Sequence, residues 1–196
     1  MSSGGGPLGM TFITSADRVD RLPPSEAEVA IVGRSNVGKS SLVNALGKSK
    51  KLAKVSNTPG RTRLLNLFAV DGGGSIVDLP GYGYAQASKH LRAEWQAMTD
   101  EYLLERDGLN MVIVLVDGAV GPTNLDIEML DWLRDNQVPH TVIATKHDKV
   151  KSSKRTRRQR DLASGCQLEV GDIVWVSSEV GTGIDRLRRL VLSWLE

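Results

Sequence analysis

The sequence predicts a three-layer α/β/α fold in which helices cover both faces of a mostly parallel sheet. Three observations lead there. Gly33-Arg34-Ser35-Asn36-Val37-Gly38-Lys39-Ser40 satisfies the pattern G-x-x-x-x-G-K-[ST] between an apolar run and a helical one. Further along, apolar stretches of strand length alternate with stretches of helical period. The chemistry-bearing segments Asp78-Leu79-Pro80-Gly81, Thr145-Lys146-His147-Asp148 and Ser177-Ser178-Glu179 each follow such a strand, where α/β sheets gather their ligands.

Composition bounds the class. A chain of 196 residues with 40% hydrophobic and 24% charged residues has ample core for one globular domain. It shows no apolar run of membrane-spanning length and no signal peptide, so no membrane partner is expected. Cys166 is the only cysteine, which excludes an internal disulfide and fits a cytoplasmic setting. The net charge of +2 says little about partners.

Residues 1–10, rich in glycine, are expected to be a disordered leader, leaving 11–196 as the single domain. Thr11 to Ala27 contains Pro23-Pro24 and reads as an extended lead-in. Glu28 to Val32 is the first expected strand, and Ser41 to Leu46 a helix stopped by Gly47. Lys48 to Arg63 is polar, basic and broken by Pro59-Gly60, hence a loop. Leu64 to Val70 and Ser75 to Leu79, joined through Asp71-Gly72-Gly73-Gly74, read as an antiparallel pair. Ser88 to Arg106 carries Leu91, Trp95, Met98 and Tyr102 as one helical stripe. Met111 to Asp117 is an apolar strand, and Thr123 to Arg134 a helix opened by a Thr-x-x-Asp cap. His140 to Thr145 and Asp172 to Ser177 complete six strands. A terminal helix follows, with Ile184, Leu187, Leu190, Val191 and Trp194 on its apolar face.

The glycine-rich segment is a phosphate site by its chemistry. Gly33 and Gly38 let the backbone fold round an anion so that successive N–H groups converge on it. Lys39 can reach the outer phosphates, Ser40 can ligate Mg²⁺, and the following helix offers its N-terminal dipole. Asp78 lies 38 residues beyond Ser40, where an aspartate can hold the same Mg²⁺ through water. The N–H of Gly81 can meet a γ-phosphate. Thr62 is the candidate switch threonine, completing the metal shell only when a γ-phosphate is present. Thr145-Lys146-His147-Asp148 fits a guanine reader. The Asp148 carboxylate can accept from both N1–H and the N2 amino group, a pair adenine lacks. An ATP-dependent P-loop kinase is thereby disfavoured. Val176, Ser177 and Ser178 would present a backbone N–H to the guanine carbonyl.

GRSNVGKSSLVNAL, NTPGRTRLLNLF, VDLPGYGYA and ATKHDK together resemble the EngB family of bacterial ribosome-biogenesis GTPases, within the Era-like group. The resemblance runs from about Phe12 to the C-terminus. It implies a Ras-like P-loop GTPase fold with a six-stranded sheet and Mg²⁺-dependent GTP hydrolysis to GDP and phosphate. It further implies action in large ribosomal subunit assembly and a link to division and septation. Lys39, Thr62, Gly81 and Asn36 are the expected catalytic set. The nucleotide contacts would run over Gly33 to Ser40, then Gly60, Arg61, Thr62, Arg63 and Leu64, then Asp78, Leu79, Pro80 and Gly81. His147 stands where the family usually has a small residue. Asn36 is a candidate potassium ligand, as asparagine is at this place in related GTPases. Because Tyr82 replaces the water-orienting glutamine of Ras-type enzymes, intrinsic turnover should be slow.

Lys149 to Arg160, KVKSSKRTRRQR, holds seven Lys or Arg and no acid. Ser152 or Ser153 could cap a helix there that ends near Gly165, yet its first-turn cations oppose the helix dipole. That composition suits a surface for rRNA of the large subunit, with the switch regions adding contacts. Tyr82 and Tyr84 are further candidates for a partner contact, with local packing as the alternative. The other class of function is a nucleotide-gated adaptor with incidental hydrolysis. A monomer is expected.

Overall fold

The computed structural model describes residues 6–49, 52–53, 64–83 and 89–196. The readings on Gly60, Arg61, Thr62, Arg63 and Tyr84, and on the side chains of Leu91 and Trp95, lie outside the described residues. Among those described, seven strands form one sheet: β1 (Met10–Ala16), β2 (Glu28–Gly33), β3 (Leu65–Val70), β4 (Ser75–Asp78), β5 (Leu109–Asp117), β6 (His140–Thr145) and β7 (Val174–Trp175). Their order is β1-β3-β4-β2-β5-β6-β7. β4, β2, β5, β6 and β7 run parallel, while β3 is antiparallel to both of its neighbours. The helices are α1 (Lys39–Leu46), α2 (Lys89–Glu105), α3 (Asn124–Asp135), α4 (Arg155–Gly165) and α5 (Ile184–Leu195).

Alternation along β2 sorts the core into two. Val29 and Ile31 join Leu42, Val43 and Leu46 of α1 and Leu187 and Val191 of α5 on one face. Ala30 and Val32 face Tyr102 of α2 and Leu130 and Leu133 of α3 on the other. Successive strand side chains point to opposite faces, so an unbroken apolar run is what a sheet buried on both sides requires. Arg188 of α5 is buried, and its guanidinium donates to the carbonyls of Ala45 and Leu46 at 2.6 and 3.0 Å. It thereby satisfies the last carbonyls of α1, the helix that follows the phosphate loop.

The structure corrects four readings. The seventh strand, β1, lies in what was read as a lead-in. It pairs with β3, and a bulge between Phe12 and Thr14 shifts its register. The expected leader also reaches too far, since Leu8 is buried and its N–H donates to the Leu46 carbonyl. The last strand is only Val174–Trp175, because Val170–Asp172 is a 3-10 turn and Ser177 has already turned away from the sheet. Ser152 and Ser153 do not cap α4. They lie in a 3-10 turn, Ser152–Lys154, and the helix begins after Lys154 with no side-chain cap.

Candidate functional site

The phosphate loop leaves β2 at Gly33 and enters α1 at Lys39. Gly38 sits at φ 113°, a left-handed conformation natural to glycine, and immediately precedes the helix. The loop is fastened to the segment after β4. Arg34 bridges Tyr82, the Ser35 N–H donates to the Tyr82 carbonyl at 2.9 Å, and Leu79 N–H reaches back to Ile31. Gly81 lies so close that a β-carbon would come within 2.8 Å of Lys39 Nζ and 3.2 Å of Ser35. No other residue fits there without displacing the lysine.

Lys39 and Asp78 are both buried. Burial lowers the lysine, against a smaller opposing pull from Asp78. Burial likewise pushes the Asp78 carboxyl up to about 6, although Lys39 acts to lower it. Desolvation outweighs attraction on both sides, so the site disfavours its own charges until something shares them. Asp78 Oδ1 has no hydrogen-bond partner among the described residues although it is fully enclosed. An orphaned carboxylate oxygen is what a hard cation, or water bound to one, would satisfy. The hydroxyl of Ser40, next in the chain to Lys39, adds a second oxygen donor. Among the described residues no group of three His, Cys, Asp or Glu could form a metal cage. The donor set therefore fits Mg²⁺ held jointly with phosphates rather than in an all-protein site.

Beyond β6 the second half of the site is built from hydrogen bonds. Thr145 Oγ1 donates to the Val37 carbonyl at 2.8 Å, tying the base-reading segment to the phosphate loop. Lys146 takes a left-handed conformation, φ 56°, costly for a lysine. Its ammonium spans to the Asn36 carbonyl at 3.1 Å and to Asp117 Oδ2 at 2.7 Å. Asn36 is itself at φ 65° and exposed. His147 N–H donates to Val176, and its ring meets Trp175 edge to face. Burial, then the Arg155 charge, lower the imidazole below its ordinary value. Asp148 Oδ1 accepts from Ser177 Oγ at 2.6 Å, and that bond holds the carboxyl below the usual range. Ser177 is fully buried and its hydroxyl also accepts from Val180 N–H, so the loop after β7 is organised around it.

The structure thus brings the segments 33–40, 78–81, 145–148 and 176–178 to one edge of the sheet. Asp117 is the residue the motifs did not single out. One of its oxygens holds Lys146, and the other accepts from Ala119 and Val120 N–H. Its only sequence signal was an aspartate closing a buried strand. Tyr82 packs against the core, one of the two roles its position left open. Its hydroxyl donates to Asp126 at 2.7 Å, and Asp126 also accepts from Thr123 N–H at the start of α3.

Comparison with known proteins agrees with this architecture. Residues 28–146 match the family described as 50S ribosome-binding GTPase. The chain is 44% identical over 186 residues to a probable GTP-binding protein EngB of Pelotomaculum thermopropionicum, covering 94% of each. It is 43% identical over 181 residues to the EngB of Thermotoga petrophila, covering 90% of this chain and 91% of that one. The chain belongs to the EngB family. EngB members are GTP-binding proteins of the GTPase class, and the fold is that of P-loop GTPases. A crystal structure of a probable EngB superposes with a TM-score of 0.70 at 23% identity, over 86% of this chain and 98% of that one. Aquifex aeolicus Era bound to GDP and AlF4⁻ gives 0.69 at 25%, over 88% of this chain and 57% of that one. The seventh strand departs from the six that the EngB resemblance implied.

Proposed function

We propose that this chain hydrolyses GTP slowly with Mg²⁺ and uses that turnover in assembly of the large ribosomal subunit, with consequences for division and septation. The observation that carries the chemistry is the enclosed Asp78 with an unpartnered oxygen beside buried Lys39, facing a phosphate loop. In this reading Lys39 and the N–H groups of 33–40 hold phosphate, Gly81 offers its N–H to the γ-phosphate, and Asp148 and Ser177 read guanine. Ser40 and, through water, Asp78 hold Mg²⁺, with Thr62 joining them when GTP is bound. The ion would neutralise charge that develops on the phosphates. Asn36, exposed at the loop's tip, remains a potassium candidate.

Charge and kinship support a ribosomal partner. Lys149 to Arg160 presents exposed Lys149, Lys151, Lys154, Arg157 and Arg160. An Era structural neighbour was solved with MgGDPNP and a piece of 16S ribosomal RNA, at 24% identity and a TM-score of 0.69. The description of the matching family, 50S ribosome-binding GTPase, supports the large subunit in this reading.

The test is GTP turnover with and without isolated large subunits, in KCl and in NaCl. Subunits should raise the rate, and the stimulation should fade with salt as phosphate contacts are screened. Equal rates with and without subunits would favour the adaptor whose hydrolysis is incidental. Equal rates in the two salts would remove the potassium role.

A further inference from the structure

The basic segment is not uniform. Lys151, Lys154, Arg157 and Arg160 are exposed, whereas Arg155 and Arg158 are half-buried and turn inward. Arg155 Nε donates to the Val150 carbonyl at 3.2 Å, and an Arg158 guanidinium nitrogen donates to the Val120 carbonyl at 3.2 Å. Both acceptors belong to turns that hold the base-reading residues. Val120 N–H donates to Asp117 Oδ1, and Asp117 Oδ2 accepts from Lys146, whose ammonium also reaches Asn36 in the phosphate loop. Val150 N–H donates to the His147 carbonyl and so closes the 3-10 turn that contains Asp148. Two continuous hydrogen-bond chains therefore run from α4 into the base pocket. Neither inward arginine has an acidic partner in these contacts. An arginine spent on a backbone carbonyl contributes position rather than surface charge.

We propose that Arg155 and Arg158 are positioning residues for guanine recognition, holding the turns of Asp148 and of Asp117 from outside. The proposal rests on Asp148 as the guanine reader. It divides the basic run in two: the outward cations are free to meet phosphate, while the inward pair holds the pocket. The division has a physical basis. Asp148 gains from the guanine N2 amino group only if its carboxylate stays in line with both donors, and misalignment weakens hydrogen bonds steeply. Lys146 sits in a strained left-handed conformation that the surrounding bonds must enforce. Loosening either turn should therefore reduce discrimination before it reduces phosphate binding.

The experiment compares GDP with IDP, whose base lacks the N2 amino group. Dissociation constants of both would be measured for the full chain and for Arg158→Met, Arg155→Met and Arg158→Lys, alongside thermal midpoints. The Met variants should lose about three- to tenfold of the GDP-over-IDP preference, the scale of one ordinary hydrogen bond, since each arginine acts on the base only through a turn. Arg158→Lys keeps a donor and should recover part of it. Neutralising Lys151, Lys154 and Arg157 together should leave the preference unchanged. A Met variant that binds both nucleotides more weakly by the same factor would overturn the proposal, since that is what general destabilisation does. Should the Met variants fail to fold, Arg158→Gln takes their place: it should lower the preference, and full wild-type preference in that variant, or equal weakening of both nucleotides, would overturn the proposal. Absence of any GDP preference in the unmodified chain would instead remove the base reading beneath it.

Discussion

The two ends of the sheet each bury a carboxylate, and they treat it in opposite ways. At the N-terminal end of β2, Glu28 is fully enclosed with both oxygens engaged. Tyr102 donates to it at 2.6 Å, and Arg106 donates through two nitrogens, the closest at 2.7 Å. At the C-terminal end of β4, Asp78 is equally enclosed, yet one oxygen faces no donor among the described residues and burial leaves the carboxyl raised. A satisfied buried charge needs nothing more from outside, whereas an unsatisfied one is maintained only where a ligand completes it. The difference between the ends separates the anchor of this fold from its site.

Breaking the anchor should have the largest effect on folding. Arg106→Ala leaves Glu28 enclosed with only the tyrosine for company, and should cost about 3–5 kcal/mol in denaturant unfolding. GDP affinity of the folded fraction should be unchanged, because the contact lies at the far end of the strands. A cost below about 1 kcal/mol would show that the two ends are less different than their geometry says.

Next in size is a change at the site that spares the fold. Asp148→Asn exchanges an acceptor for a donor and should lower GTP affinity on the order of a hundredfold, while raising affinity for xanthosine triphosphate. Its unfolding midpoint in the free state should barely move. Retained GTP binding would refute the assignment of Asp148.

The last effect, comparable in size, is the one of unusual sign. Asp78→Asn removes the buried charge, so the nucleotide-free protein should gain stability, at most about 3 kcal/mol at neutral pH. The gain has a pH signature. Unfolded, Asp78 ionises near its ordinary value of 3.8; folded, it ionises at about 6. Between those values the unfolded chain releases its proton first, and the parent protein loses stability as pH rises. The advantage of the variant should thus be absent below about pH 4, grow to about pH 6 and then stay level. Stabilisation by Mg²⁺ with nucleotide should be lost in the same variant. Calorimetry across that range decides it, and a destabilised free variant would sink the argument.

Legibility in the sequence followed how local the determinants are. The phosphate loop was readable because one contiguous stretch supplies turn, cation and helix start. β6 and the Thr123 opening of α3 were readable for the same reason. β1 was not, because it is an edge strand with most of its side chains exposed. The bulge at Ile13 also breaks the alternation a strand is recognised by. β7 was overdrawn because its apolar run continues past the two residues that pair. Asp117, Arg155 and Arg158 carry no motif at all. Asp117 accepts from two N–H groups of its own turn and from a distant lysine, and the two arginines donate to backbone carbonyls, contacts that no residue pattern encodes.

Arg188 carries a consequence for how distant parts of the fold depend on one another. The carbonyls of Ala45 and Leu46 at the end of α1 accept from its guanidinium as well as from the N–H groups of Lys48 and Leu8. The helix that follows the phosphate loop is therefore braced twice, by main chain from before β1 and by a side chain of α5. A change in α5 reaches the support of the phosphate loop without touching the loop itself.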